Sequence, residues 1–275
     1  MDIGYCIKKT TNTPYPIPNI QYPLTNFVSW VYVKPKNFMY NQNPTSTTPS
    51  VLDQAAAETQ RYMTKVYGWM TLALVVTGFV AMFVASTPAL IEFIFGSRLV
   101  FWGLIILEFV MVASLAGWVS RMSATTATLM FLLYSAVNGL TLSAIFIIYT
   151  AESIATTFFI TAGTFGIMSF YGYTTKKDLT SWGNLLFMGL IGLILASVIN
   201  IFMQSSMLYW ITTYAGVLIF VGLTAYDTQK IKNMNIIGNE GTEEDQKEAI
   251  MGALTLYLDF INLFLYLLRL FGKRK

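Results

Sequence analysis

The chain has 275 residues, 55% of them hydrophobic and only 11% charged, with a formal excess of three positive charges. An ordinary soluble domain is about a quarter charged, so this is the composition of a polytopic membrane protein, and so small a basic excess argues against nucleic acid as a partner. Cys6 is the only cysteine and histidine is absent; an intramolecular disulfide and a cysteine-based metal site are excluded, and a proton switch near neutrality must use carboxylates.

Residues 1–60 are polar, with prolines, asparagines, tyrosines and no helical period, and are predicted to form a disordered cytosolic tail. Met1 is not followed by a basic stretch and a compact apolar core, so no cleavable signal peptide is expected. Asn41–Ser50 reads as a low-complexity linker, and Met39 is an alternative start. Asp53–Arg61 reads as a short amphipathic helix leading into the membrane.

Residues 61–275 form the predicted membrane domain, with seven apolar spans of about twenty residues each. They are Val66–Ala85, Leu99–Val119, Thr128–Ile148, Ile154–Tyr173, Leu185–Met203, Leu208–Tyr226 and Ile250–Phe271. Arg61, Lys65, Arg121, Lys176, Lys177, Lys230, Lys232 and Lys247 flank alternate loops, which places the N-terminus in the cytosol by the positive-inside rule. Seven spans then put the C-terminus outside, against its basic Gly272–Lys275 ending; a final helix that fails to cross is the alternative.

In the third span Ser135, Gly139 and Ser143 recur at the spacing that lets two helix backbones approach closely. Tyr134, Asn138 and Thr141 form a polar stripe on another side, either a hydrogen-bonded seam or the lining of a hydrated cavity. The second span contains a lone carboxylate, Glu108. Arg269, toward the outer end of the last span, either pairs with Glu108 across the bundle or snorkels to the interface.

The last span carries the strongest signal. Gly252, Thr255, Asp259, Asn262 and Tyr266 fall at steps of three or four, one polar stripe on a Leu/Phe/Ile cylinder. An aspartate in mid-span costs about 2.5–3.5 kcal/mol on insertion scales, so this helix belongs in the middle of a bundle, with a partner for Asp259. Asp227, at the cytosolic end of the sixth span, is the candidate. Two carboxylates in one site cannot both ionise cheaply and titrate as a unit. The plainer readings are a solvated helix-end aspartate beside Lys230 and, for Asp259, a structural hydrogen bond. Asp259 lies roughly 14 Å along the helix from Ile250, so the two meet only if the last helix begins beyond the membrane edge or Asp227 is tucked inward. Arg121, on the same side as Asp227, is either an orientation charge or a latch.

Several stretches resemble the Bax inhibitor-1 family, particularly its bacterial branch: Asn138–Ser143, Phe158–Met168, Tyr171–Leu179, Thr224–Ile231 and Ala253–Phe264. The resemblance covers Ala57 to the C-terminus. It implies an all-α integral membrane protein with seven transmembrane helices, two three-helix groups wrapped around a central C-terminal helix. It also implies a pH-sensitive calcium leak governed by an aspartate pair, which falls on Asp227 and Asp259; the latch arginine falls on Arg121, and Glu108 with Arg269 is a carried-over ion pair. The resemblance thus implies calcium as the transported ion, with Asp227 and Asp259 as its expected carboxylate ligands, no cofactor, and the bacterial inner membrane as the location. The alternative function is a non-conducting regulator that binds a membrane-bound ATP-dependent protease or other partner. An intramembrane aspartyl protease is disfavoured, because Tyr226-Asp227 matches half of that signature and Asp259 follows Leu256-Tyr-Leu rather than Gly-x-Gly.

Overall fold

The computed structural model describes residues 50–275; the predicted tail up to residue 49, with Met39 and most of the linker, lies outside the described residues. Seven helices in it are long and apolar enough to cross a membrane. Helix α1 (Val51–Ala85) opens on a capping box, Ser50 and Asp53 each bonding the other's backbone N–H. It is continuous, so the amphipathic segment Asp53–Arg61 is its first turns and the domain boundary drawn at residue 60 falls inside it. A short α2 (Pro88–Gly96), started by proline, leads to α3 (Arg98–Trp118) and a 3-10 turn at Val119–Arg121. The third span is two pieces, α4 (Ala124–Leu142) and α5 (Ala144–Ile148), broken where the Ser143 hydroxyl bonds back to the Leu140 carbonyl. Then follow α6 (Ala151–Thr174), α7 (Thr180–Met203), α8 (Ser206–Met234) and α9 (Glu243–Phe271).

Helices α1, α3 and α4 pack together, as do α6, α7 and α8, and α9 runs between the groups against α1, α4, α6 and α8. The expected two groups around a central last helix are therefore present. Helix α9 is buried on nearly every side, whereas α3 and α7 turn most of their side chains outward. Close approach at the seams relies on missing side chains. A Cβ on Gly139 would lie 2.7 Å from the Thr77 carbonyl oxygen on α1, and one on Gly172 would overlap the Ala225 carbonyl on α8. The small-residue line of the third span is thus the α1–α4 contact.

The starts of α1 and α9, the 3-10 turn and the α6–α7 and α8–α9 loops share one face of the bundle, called here the N-terminal face. The C-terminal residues lie on the other. Their backbone is tied to the α5–α6 connection: Thr150 N–H donates to the Lys273 carbonyl and Lys275 N–H to that of Ile148, around a Tyr149–Arg274 bridge. The last helix therefore runs the full depth of the bundle despite its basic ending.

On the N-terminal face the α8–α9 loop is clamped to α1. Arg61 makes a two-pronged bond to Glu240 (2.6 and 2.7 Å), Glu58 accepts from Gly238 N–H, and Lys65 reaches the buried Asp245 at 2.6 Å. The Arg61 guanidinium, by donating to Glu240, holds that carboxyl below its ordinary value. A depressed folded value means stability that is complete above the unfolded value and lost as pH falls through the folded one. The stability gap between the wild type and Glu240→Gln is therefore expected to be constant above about pH 4.3, the ordinary glutamate value, and to close below it, as read by denaturation in micelles at a series of pH values. A gap unaffected by acid would count against the clamp. Separately, Gly172→Ala forces α6 and α8 apart and is expected to cost about 1–3 kcal/mol, seen as a lower unfolding midpoint. Gly163→Ala, where an added Cβ meets nothing within 4 Å, serves as the near-neutral control.

Candidate functional site

The α8–α9 crossing brings Asp227 and Asp259 together. Both helices extend past their apolar limits: α8 continues eight residues beyond Tyr226, and α9 starts seven before Ile250, where Thr242 caps it by accepting from Asp245 N–H. The helices thus outrun the apolar windows at both ends of the α8–α9 connection. The seven residues ahead of Ile250, six of them polar, lift the start of α9 by about 10 Å, and Asp227 sits two turns inside α8 instead of at its end. Antiparallel packing then aligns three residues of the predicted stripe with α8. Gly252 abuts Ile231, Asp259 faces Asp227, and the Tyr266 ring seats over Gly216 and stacks on Phe220 at 5.8 Å.

Asp227 and Asp259 are 9% and 5% exposed, and their carboxyl groups lie within hydrogen-bonding reach of one another. Ionised carboxylates only accept, so a bond between the two requires a shared proton. Lys230, one turn along α8, is the cation that acts on Asp227. Asp259 Oδ2 is buried with no partner among the described residues. Leaving such an atom unsatisfied costs about 1–3 kcal/mol, and it is the acceptor that a water or cation would find. Asn262, of the same stripe, donates its side-chain N–H to the Leu258 carbonyl of its own helix. Calcium takes six to eight oxygens, and no group of three or more acidic, cysteine or histidine side chains that could hold a metal occurs among the described residues. The pair can contact a passing cation but does not form a closed cage.

Two other expected arrangements are not formed. Glu108 does not pair with Arg269: it accepts from Thr141 at 2.7 Å and lies within reach of Asn138, whereas the Arg269 guanidinium lies over the rings of Tyr266 (5.1 Å) and Tyr209 (5.9 Å). The physical reason is the packing of α3 behind α4, on the side of the bundle away from Arg269. Arg121 is exposed on its 3-10 turn and makes no ion pair with either aspartate. That turn abuts the start of α9, where Glu243 accepts from Ala124 N–H at 2.9 Å. Asp259 lies sixteen residues further, about 24 Å along the axis.

A second polar centre lies on the polar stripe of the third span, and the part of Tyr257, Thr77 and Glu108 in it was not read from the sequence. On the side of α9 opposite the aspartates, the Tyr257 hydroxyl donates to Asn138 Oδ1 (3.2 Å) and lies 2.7 Å from Thr77 Oγ1, which also donates to the Ser135 carbonyl. Phe131 and Tyr134 meet the Tyr257 ring edge-on. Asn138 and Thr141 continue the chain to Glu108, so the polar stripe of the third span is a hydrogen-bonded seam joining α1, α3, α4 and α9. Its legible signal was the polar stripe itself; Tyr257 looks like any core aromatic. Tyr257→Phe keeps the ring and removes both bonds. It is expected to cost about 1–3 kcal/mol through the unpaired Asn138 oxygen, measured as the shift in denaturation midpoint, and an unshifted midpoint would assign the seam no structural weight.

The family model described as "Inhibitor of apoptosis-promoting Bax1" matches residues 59–275. Among curated relatives, the inner membrane protein YbhL of Escherichia coli K12 is 55% identical over 223 residues, 81% of this chain and 95% of that protein. An uncharacterized protein of Borreliella burgdorferi is 46% identical over 78% of this chain and 93% of its own length. An uncharacterized protein of Rickettsia prowazekii is 46% identical over 86% of this chain and the whole of its own.

Proposed function

Because the chain belongs to the Bax inhibitor-1 family of multi-pass membrane proteins, we propose that it is a pH-sensitive calcium leak gated at Asp227 and Asp259. The observation that carries this reading is the meeting of these two buried carboxyl groups on the central helix, with one oxygen left without a partner. While they share a proton, α9 stays packed against α8 and closes the path between the helix groups. Loss of that proton places two like charges a few ångströms apart in a medium of low dielectric, where their repulsion is far larger than in water. The seam opens, and the freed carboxylates supply part of the oxygen shell that a dehydrating calcium ion needs. Arg121 would then act as a latch only after the N-terminal end of the bundle rearranges. The basic residues gathered on the N-terminal face support a cytosolic N-terminus in a bacterial inner membrane.

A second reading, a non-conducting regulator of a membrane-bound ATP-dependent protease, is favoured by one feature. The first turns of α1, which follow the N-terminal segment in the sequence, grip the loop leading to α9. Calcium flux into proteoliposomes separates the two. The leak requires flux that rises with pH across the neutral range in the wild type, loses its pH dependence in Asp227→Asn and Asp259→Asn, and survives deletion of residues 1–49. Wild-type pH dependence in both variants sinks the aspartate gate. No flux at any pH transfers the assignment to the regulator.

A further inference from the structure

Opposite the clamp, on the C-terminal face, a recess of about 530 Å³ opens between α7, α8, the end of α9 and the α5–α6 connection. Its chemistry is one-sided. Arg269 and Arg274 both line it with Asn200, Tyr149, Tyr209 and Thr212, and no Asp or Glu side chain lines it. Neither arginine has a carboxylate partner among the described residues, where the three ion pairs are Arg61–Glu240, Lys65–Asp245 and Lys247–Glu243. Glu108, the anion expected for Arg269, is engaged elsewhere with Thr141. The nearby acid of the α6 start, Glu152, lines a separate recess with Lys273.

The two guanidinium groups are held in place. Arg269 lies against the faces of Tyr209 and Tyr266. Arg274 is fixed through its backbone by the bridge to Tyr149, and its guanidinium donates to the Tyr209 hydroxyl at 3.5 Å with Tyr149 also in reach. Asn200 spends its amide oxygen on Ser205 N–H, which leaves its two N–H donors for a ligand. Planar, weakly hydrated guanidinium forks match the oxygens of phosphate and carboxylate two at a time. We propose that this recess binds a phosphate-bearing ligand, with Arg269 and Arg274 as its two forks and Asn200 and the tyrosine hydroxyls as further donors. The volume exceeds that needed by a bare phosphate ion and leaves room for the group the phosphate is attached to. A phospholipid headgroup from the adjoining leaflet and a phosphate compound free in solution share this chemistry.

Calorimetric titration of the full-length protein in neutral micelles tests it with two probes, inorganic phosphate and dihexanoyl phosphatidylglycerol. Saturable binding at one site per chain is expected, weakened about tenfold or more in Arg269→Gln and in Arg274→Gln, as the loss of a charge-assisted bond implies. Arg274→Lys is expected to recover only part, since it restores the charge without the fork. Preference for the phosphatidylglycerol identifies a lipid headgroup site, and equal or better binding of inorganic phosphate identifies a soluble ligand. Arg274 lies on the exposed tail, so its variants keep the test independent of any damage to α9 in the Arg269 variant. Absence of saturable binding to both probes, or binding unchanged in the double Gln variant, overturns the proposal. Neither outcome depends on whether the protein conducts calcium.

Discussion

A carboxylate in the middle of a membrane helix must be surrounded by protein, and most of the architecture follows from meeting that demand at Asp259. The cost of placing it there is acceptable only if the helix that carries it is withdrawn from lipid on nearly every side. Helix α9 is, and withdrawal from lipid is what makes the other six spans arrange themselves as two groups of three. The groups need not touch one another extensively, because each has the same central helix to pack on.

The two sides of α9 differ in kind. Toward α1 and α4 it offers Tyr257, whose hydroxyl has the uncharged Asn138 and Thr77 side chains as partners. Toward α8 it offers Asp259, whose contact depends on a proton and leaves an oxygen unsatisfied. A hydrogen bond between a phenol and an amide involves no titration near neutrality, whereas a proton shared between carboxyl groups does.

Depth in the membrane was legible in the sequence, and direction around the helix axis only sometimes was. Hydropathy located all seven spans, and the three-four spacing of Gly252, Asp259 and Tyr266 gave the face that meets α8. The helix ends were misplaced because apolar windows stop where polarity begins, whereas the helices stop where caps do: Thr242 starts α9 in polar sequence and Ser50 starts α1 well outside the apolar run. Those extra turns are what bring Asp227 level with Asp259. Glu108 and Arg269 each sit on a recognised span, yet nothing in one sequence says that α3 packs behind α4, and the pair inferred for them is not formed. Tyr257 was hidden for the opposite reason, since an aromatic among leucines looks like packing until its hydroxyl finds partners.

The strand-like tie between the C-terminal residues and the α5–α6 connection has a mechanical consequence. At its far end α9 is held through Asp245 by Lys65 and through Glu243 by the backbone of Ala124. A rod anchored at both ends cannot slide along its axis like a piston, nor spin freely, without breaking one set of moorings. What remains is lateral bowing, largest at mid-length. Asp259 stands close to that midpoint, so a disturbance there bends the rod where it is most compliant, while its ends stay docked.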